Sequence, residues 1–345
     1  MKPKCKVLRI YQPADPKLLA TGPTLTLRHI EQFGEVDAEL VEVAATNKKK
    51  LIEAAKDTDI ILLANAPITR WMLEASPKCL AIVGQYVGFD YVDVMAATEN
   101  NIIVVNNPSS EWCLEEVSNH AITLLLACAK KLVLLNKLVK DGRWDDAKKA
   151  QKPMGSIYGQ TLGIIGCGAI ARMVARKAQC FGLKVIGYDP NIEKSLIEKD
   201  RITLVDLPAL LKESDYISAH PSLNQTSYHL MDEQAFKRMK QSAYFINTAR
   251  GNVVDEPALI KALQEKWIAG AGLDVFEKEP VDKNNPLLKL DNVITLPHDG
   301  SYSDNAFAQA PINAAREIGR ILRGKWPKNV VNKSVKPRIK LVKEA

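Results

Sequence analysis

The sequence of 345 residues predicts an α/β fold with doubly wound parallel sheets. Short apolar runs recur along the chain, as strands buried on both faces require. Amphipathic stretches at helical spacing separate most of them, and such alternation gives parallel sheets covered by helices. At mid-chain a glycine-rich turn, Gly166-Cys167-Gly168-Ala169-Ile170-Ala171, joins a predicted strand to a predicted helix.

The N-terminal third reads as one complete α/β layer. Cys5 to Tyr11, Ile60 to Ala64, Leu80 to Val83 and Ile102 to Val105 are predicted strands. Glu74 to Ala75 and Val92 to Glu99 suit covering helices. Trp112 to Val139 reads as one long helix, broken near Asp141-Gly142. Thr161 to Ile165 is the strand before the turn. The helix after it carries Ile170, Val174 and Ala178 on one face and stops before Gly182, and Val185 to Tyr188 is the next strand. Ile202 to Val205, Tyr216 to His220, Ala243 to Asn247, Gly270 to Val275 and Val293 to Leu296 continue the pattern. Glu256 to Gln264 is a helix with Pro257 in its first turn. The last helix, Asp304 to Arg323, ends at Gly324 with Pro327 beyond, and Pro311 inside it predicts a kink or a late start.

The glycine turn has the chemistry of a dinucleotide site. Gly166 permits the tight turn, Gly168 lets backbone approach a pyrophosphate, and Ala171 keeps helix and strand close. The helix N-terminus, at Ala169 and Ile170, offers N–H groups to the anion. Asp189, at the end of the following strand, would accept hydrogen bonds from the adenosine ribose hydroxyls. A 2′-phosphate beside it would meet like-charge repulsion, and Pro190-Asn191 supplies no Arg. NAD, or NADH, is therefore expected in preference to NADP.

Bulk properties narrow the class. The net charge of +7 comes largely from Lys48-Lys49-Lys50 and a tail, residues 333–345, read as a solvated face and a frayed terminus. No basic patch interleaved with aromatics accompanies them, so no nucleic-acid partner is expected. The apolar run Ala121 to Ala129 is too short to span a bilayer, and Arg9 and Pro13 interrupt any signal-like core, so no membrane partner and a cytoplasmic location are expected. The six cysteines show no paired metal spacing, so no metal is expected. Cys167 reads as a small residue filling a tight position, with an oxidation-sensitive thiol as the alternative.

Three segments end successive predicted strands: Asn247-Thr248-Ala249-Arg250-Gly251, Asp274 to Pro280, and Pro297-His298-Asp299-Gly300. Strand C-terminal ends line the ligand crevice of an open α/β sheet. With Val87-Gly88-Phe89-Asp90, Glu115-Glu116-Val117 and the fingerprint with Asp189, these segments resemble the D-isomer-specific 2-hydroxyacid dehydrogenase family over residues 5–332. That family includes D-lactate, D-glycerate and D-3-phosphoglycerate dehydrogenases.

The resemblance implies a Rossmann cofactor domain, residues 108–303, inserted into a flavodoxin-like substrate domain of residues 1–107 and 304–332. It places the active site between them and the long helix in a homodimer interface. It makes His298 the proton donor to a small anionic 2-oxo acid, and the base toward the 2-hydroxy acid. Glu279 would bond the other ring nitrogen, and Arg250 would hold the substrate carboxylate and carbonyl as a planar fork. Backbone N–H groups at Val87 and Gly88 would grip the carboxylate. Ser222, Thr248, Ala249, Arg250, Asp274, His298 and Gly300 would contact the cofactor, with Asp274 at the nicotinamide amide or, alternatively, capping a turn. His220 and His229 serve structure.

Several positions depart from the family pattern. Tyr86 stands where relatives carry a small residue, Ser222 replaces Pro, and Leu296 replaces Thr. Asp299 follows His298 where relatives are neutral; its charge would disfavour phosphorylated substrates or, alternatively, point into solvent. The segment Glu111-Trp112-Cys113-Leu114-Glu115-Glu116-Val117 and Tyr302-Ser303 resemble the C-terminal-binding-protein corepressors, although Ser301 replaces their Trp. The expected activity is thus NAD-dependent reduction of glyoxylate, hydroxypyruvate or pyruvate. The alternatives are a D-3-phosphoglycerate dehydrogenase without a regulatory domain, and an NAD-sensing binding module.

Overall fold

A computed structural model describes residues 4–11, 23–64, 66–107 and 111–343, without side chains at 23–25, 64, 111 and 112. The expectations for Pro13 and for the side chains of Glu111 and Trp112 lie outside the described residues. The chain forms two compact units, Met1–Cys113 with Ser303–Ala345, and Leu114–Tyr302.

The first unit runs β1 (Cys5–Tyr11), α1 (Pro23–Gly34), β2 (Ala38–Ala44), α2 (Lys48–Ala55), β3 (Ile60–Ala64), α3 (Arg70–Glu74), β4 (Ala81–Gly84), α4 (Val94–Glu99) and β5 (Ile103–Val105). Its five parallel strands lie in the order β2-β1-β3-β4-β5, the flavodoxin-like order. Ile10, Ile60, Ile61 and Ile82 are fully buried, as central parallel strands demand.

The sequence did not signal α1, β2 or α2. β2 is an edge strand in which Glu39 and Glu42 interrupt the apolar run, so it lacks the continuous signature of its neighbours. Glu42 also explains how Arg9 can sit inside β1 at 1% exposure. The two residues face each other across the strands, with Arg9 Nη1 donating to Glu42 at 2.6 Å. A buried cation persists only with such a partner. Lys48-Lys49-Lys50 open α2, where Asn47 accepts the Lys50 N–H at 3.1 Å and Lys48 lies over the Trp71 ring.

The second unit begins in α5 (Glu111–Ala129) and continues through α6 (Leu132–Lys140), α7 (Trp144–Ala150), β6 (Thr161–Ile165), α8 (Ala169–Cys180), β7 (Lys184–Tyr188), α9 (Lys194–Glu198) and β8 (Thr203–Leu204). Then follow α10 (Leu207–Glu213), β9 (Tyr216–Ala219), α11 (Glu233–Arg238), β10 (Tyr244–Asn247), α12 (Glu256–Gln264), β11 (Gly270–Leu273) and β12 (Val293–Thr295). The seven parallel strands are ordered β12-β11-β10-β9-β6-β7-β8, a doubly wound sheet whose order reverses between β6 and β9. The expected single helix from Trp112 to Val139 is corrected to two. Lys131 adopts φ 50° between α5 and α6, and its ammonium donates to Ala150 O at 2.9 Å.

α13 (Asp304–Leu322) returns to the first unit and starts at once, its first turn capped by Ser303, so Pro311 causes no late start. The expected frayed tail is also corrected. Val335 is buried, and Lys325 and Val342 form a strand-like bridge. Arg338 donates to the carbonyls of Asn100, Ser76, Pro77 and Cys79 at 2.6–3.0 Å, which explains why so charged a segment lies down. Among the described residues no helix is long and apolar enough to cross a membrane.

Asn332 ties this return to the sheet. Its Oδ1 accepts the Val104 N–H at 2.8 Å, and its Nδ2 donates to Thr98 Oγ1 (3.0 Å) and Ile102 O (2.9 Å) at 5% exposure. Replacing it by Ala strands buried polar groups, so Asn332→Ala should lower stability by about 2–3 kcal/mol in urea unfolding. A variant as stable as the parent would contradict this anchor.

Candidate active site

The site of the second unit starts where the sheet order reverses. β6 ends at Ile165 and the chain turns through Gly166, whose φ of +80° disfavours any side chain. A Cβ there would also lie 2.7 Å from the Pro221 backbone, just past β9. Gly168 precedes α8, and a Cβ on it would meet nothing within 4 Å, so the turn opens onto free space. No side chain caps α8, which leaves its first N–H groups available to an anion.

Asp189 directly follows β7 and lies against this turn. Its Oδ2 accepts the Cys167 N–H at 2.9 Å and its Oδ1 accepts the Asn191 N–H at 2.9 Å. The carboxylate is thereby aimed, while each oxygen keeps a second lone pair. Cys167 is fully buried, and burial followed by the charge of Asp189 pushes its thiol up to about 12. It fills a tight position rather than acting as a reactive thiol.

Thr248 and Ala249 follow β10, both nearly buried, and Thr248 Oγ1 has no hydrogen-bond partner. Ser222, beyond β9, is exposed, and its carbonyl accepts from Ser227 Oγ at 2.7 Å. An open glycine turn, an uncapped helix end, an aimed carboxylate and an orphaned hydroxyl fit a dinucleotide. Gly166, Gly168, Ala169, Ile170, Asp189 and Thr248 would hold it.

Arg250, Glu279 and His298 stand beyond the ends of β10, β11 and β12. Asn247 shapes the first turn: its Nδ2 donates to Arg250 O at 2.9 Å and its Oδ1 accepts the Ala249 N–H at 3.0 Å. Gly251 then lies so close to the next loop that a Cβ would stand 1.9 Å from Phe276 C and O. Only glycine allows this crossing. In that loop the Phe276 N–H donates to Glu279 Oε1 at 3.0 Å, and Glu279 Oε2 meets His298 Nδ1 at 2.7 Å.

Burial pushes the Glu279 carboxyl up. The hydrogen bond and charge of His298, the Phe276 N–H and the nearby Arg250 more than offset this and leave it below the usual range. Glu279 therefore remains an anion beside the imidazole. His298 itself holds a left-handed backbone with φ 57°.

Asp274 is 1% exposed, and its two oxygens accept the N–H groups of Asp299 (3.0 Å) and Gly300 (2.9 Å). The turn-capping alternative for Asp274 thus describes the bonds this side chain makes. Sequence reading missed Asn247, Gly251 and His120, whose Nε2 lies 3.2 Å from Asp274 Oδ1. Asn before a turn was a readable signal; the other two depend on tertiary neighbours.

His229 contacts Glu277, and His220 bonds Ser218 Oγ at 2.8 Å. Val87 and Gly88 belong to the first unit, where Asn106 Nδ2 donates to Val87 O at 2.9 Å and the Asn107 N–H to Tyr86 O at 3.0 Å. Among the described residues no cluster of three or more His, Cys, Asp or Glu could hold a metal ion.

Burial lowers the His220 pKa from 6.5 to about 4. As pH falls the unfolded chain takes up this proton first, so the contribution is complete above pH ~6.5 and lost on the way to about 4. Stability should drop by roughly 2 kcal/mol between about pH 7 and about pH 5, and His220→Gln should flatten that slope. Equal slopes for parent and variant in urea titrations would contradict a neutral His220 ring in the folded protein.

Comparison with known proteins follows the same lines. The family model "D-isomer specific 2-hydroxyacid dehydrogenase, NAD binding domain" matches residues 122–300. The chain is 42% identical over 326 residues to a glyoxylate reductase of Korarchaeum cryptofilum, covering 93% of this chain and 97% of that protein. A D-lactate dehydrogenase of Aquifex aeolicus, solved with NAD and lactic acid, superposes with a TM-score of 0.80 at 28% identity, covering 94% and 99% of the two chains. An NADPH-dependent glyoxylate/hydroxypyruvate reductase of Sinorhizobium meliloti, solved with NADP and malonate, gives 0.80 at 25% identity over 98% and 100%.

Proposed function

Because the chain belongs to the D-isomer-specific 2-hydroxyacid dehydrogenase family, we propose that it reduces a small 2-oxo acid of the glyoxylate, hydroxypyruvate or pyruvate type to the D-2-hydroxy acid, with NADH as preferred donor. The observation that carries this reading is the 2.7 Å contact between Glu279 and His298 Nδ1. It orients an acid–base group beyond the end of β12, a strand of the same sheet whose β6 leads into the dinucleotide turn.

The nicotinamide nucleotide, when bound, supplies the hydride. Arg250 would hold the carboxylate and carbonyl oxygen of the substrate in one plane. His298 would pass a proton from Nε2 to the carbonyl oxygen as it becomes a hydroxyl, and recover it in the reverse direction. Glu279 would fix the ring with Nδ1 protonated and stabilise its cationic form, as its depressed pKa permits. Val87 and Gly88 are proposed to grip the substrate carboxylate through backbone N–H groups.

Preference for NADH rests on Asp189, whose charge opposes a 2′-phosphate. Asp299 is proposed to disfavour phosphorylated acids in the same manner. A cytoplasmic homodimer completes the proposal. Its support is the apolar surface of Leu132, Val133 and Val139 on α6 and Trp144 on α7, exposed at 45–60%.

His298→Asn should lower kcat by about 10²–10⁴ while NADH still binds. A spectrophotometric panel of glyoxylate, hydroxypyruvate, pyruvate and 3-phosphohydroxypyruvate, each with NADH and NADPH, tests the rest. Turnover should favour the unphosphorylated acids with NADH. Inertness across the panel with NADH bound tightly would support a binding module instead. Asp189→Ala should raise kcat/KM with NADPH relative to NADH, and an unchanged ratio would remove Asp189 as the determinant.

A further inference from the structure

We propose that His120 is a positioning residue for this reaction: through Asp274 it fixes the backbone of the loop that carries His298. The proposal rests on the acid–base reading of His298 given above.

His298 sits in the left-handed region, which a non-glycine residue adopts only when its surroundings impose it. The imposed bonds are visible on its C-terminal side. Asp274 takes the next two backbone N–H groups, those of Asp299 and Gly300, one on each carboxylate oxygen. The loop therefore follows wherever that carboxylate is held. Asp274 is almost wholly buried, and a side chain so placed needs a third contact to keep its charge and its orientation.

His120 provides it. Its Nε2 stands 3.2 Å from Asp274 Oδ1, with the His side chain 22% exposed. Its Cδ2 lies 3.5 Å from where a Cβ on Gly300 would stand, so the ring also packs along the loop. No hydrogen bond is aligned to Nε2, and the contact acts as a close polar approach backed by packing of the ring. Burial pushes the Asp274 carboxyl up, but His120 and the two N–H groups more than offset it, and the group stays below the ordinary carboxylate range. It thus remains an anion able to accept both bonds.

The placement of His120 is itself set by the sheet. At Gly272 in β11, a Cβ would meet Leu124 Cβ and Cys128 Sγ at 3.2 Å, so α5 lies directly on that strand. Leu124 is one helical turn beyond His120, and Gly272 is two residues before Asp274. The packing of α5 on β11 therefore brings the ring to the carboxylate.

The test compares wild type with His120→Ala and His120→Gln, whose amide Nε2 can occupy the place of the imidazole nitrogen. His120→Ala should lower kcat with glyoxylate by about 10-fold to 10²-fold, with the KM for glyoxylate and the Kd for NADH changing little. The deuterium isotope effect on kcat with 4-deuterated NADH should rise, because a displaced His298 makes the chemical step slower. A merely structural loss would reduce the active fraction and leave that isotope effect unchanged.

His120→Gln should recover most of the loss. Amide hydrogen exchange at Asp299 and Gly300 should accelerate in His120→Ala and return in His120→Gln. That readout judges the proposal even if wild type proves inert toward 2-oxo acids, a result that would sink the functional reading alone. Unchanged exchange at both amides, or a loss confined to NADH affinity, would overturn the positioning role.

Discussion

Two carboxylates that follow a single strand hold the residue proposed to move the proton. Asp274 grips the backbone beyond His298, and Glu279 grips its ring. The left-handed backbone of His298 costs about 1–3 kcal/mol, which these bonds offset. The arrangement needs the loop after β11 to run close beside the turn after β10. Gly251 makes that possible, since any side chain there would strike the Phe276 backbone. Removing the crossing would separate Arg250 from the loop of Glu279, whose carboxyl it helps to hold down.

The larger frame follows from where open parallel sheets reverse their order. Strands beside the reversal splay their following loops apart and leave a crevice at their C-terminal ends. In the second unit that reversal is between β6 and β9, and the Gly166 turn stands there. Beyond β10 of the same sheet, the Thr248 hydroxyl is left without a hydrogen-bond partner within the protein. A folded protein leaves such groups unsatisfied chiefly where a ligand supplies the missing partner.

Much of this was legible because central parallel strands and their helices have strong, local signatures. β1, β3, β6 and α12 have the bounds their apolar runs implied. What was not legible depended on neighbours remote in sequence. β2 is an edge strand whose apolar run is broken by Glu39 and Glu42, and the cation inside β1 made sense only once Glu42 lay opposite it. The break at Lys131 has no Gly or Pro to announce it, and the charged tail is held by Arg338 through carbonyls far back in the chain. At the candidate site, Glu279 and His298 stood out as chemical types and lie within hydrogen-bond distance. Gly251 and His120 acquire meaning only from the atoms packed against them.

On the proposed mechanism, Glu279 keeps a proton on Nδ1 of His298 and leaves Nε2 to face the reacting oxygen. Nitrogen-15 NMR of the His298 ring, with NADH and an unreactive 2-oxo acid analogue bound, reads this directly. The Nδ1 signal should stay protonated and hydrogen-bonded wherever the protein is active, and lose that bond in Glu279→Ala. A ring protonated on Nε2 alone, or one indifferent to removal of the carboxylate, would contradict it.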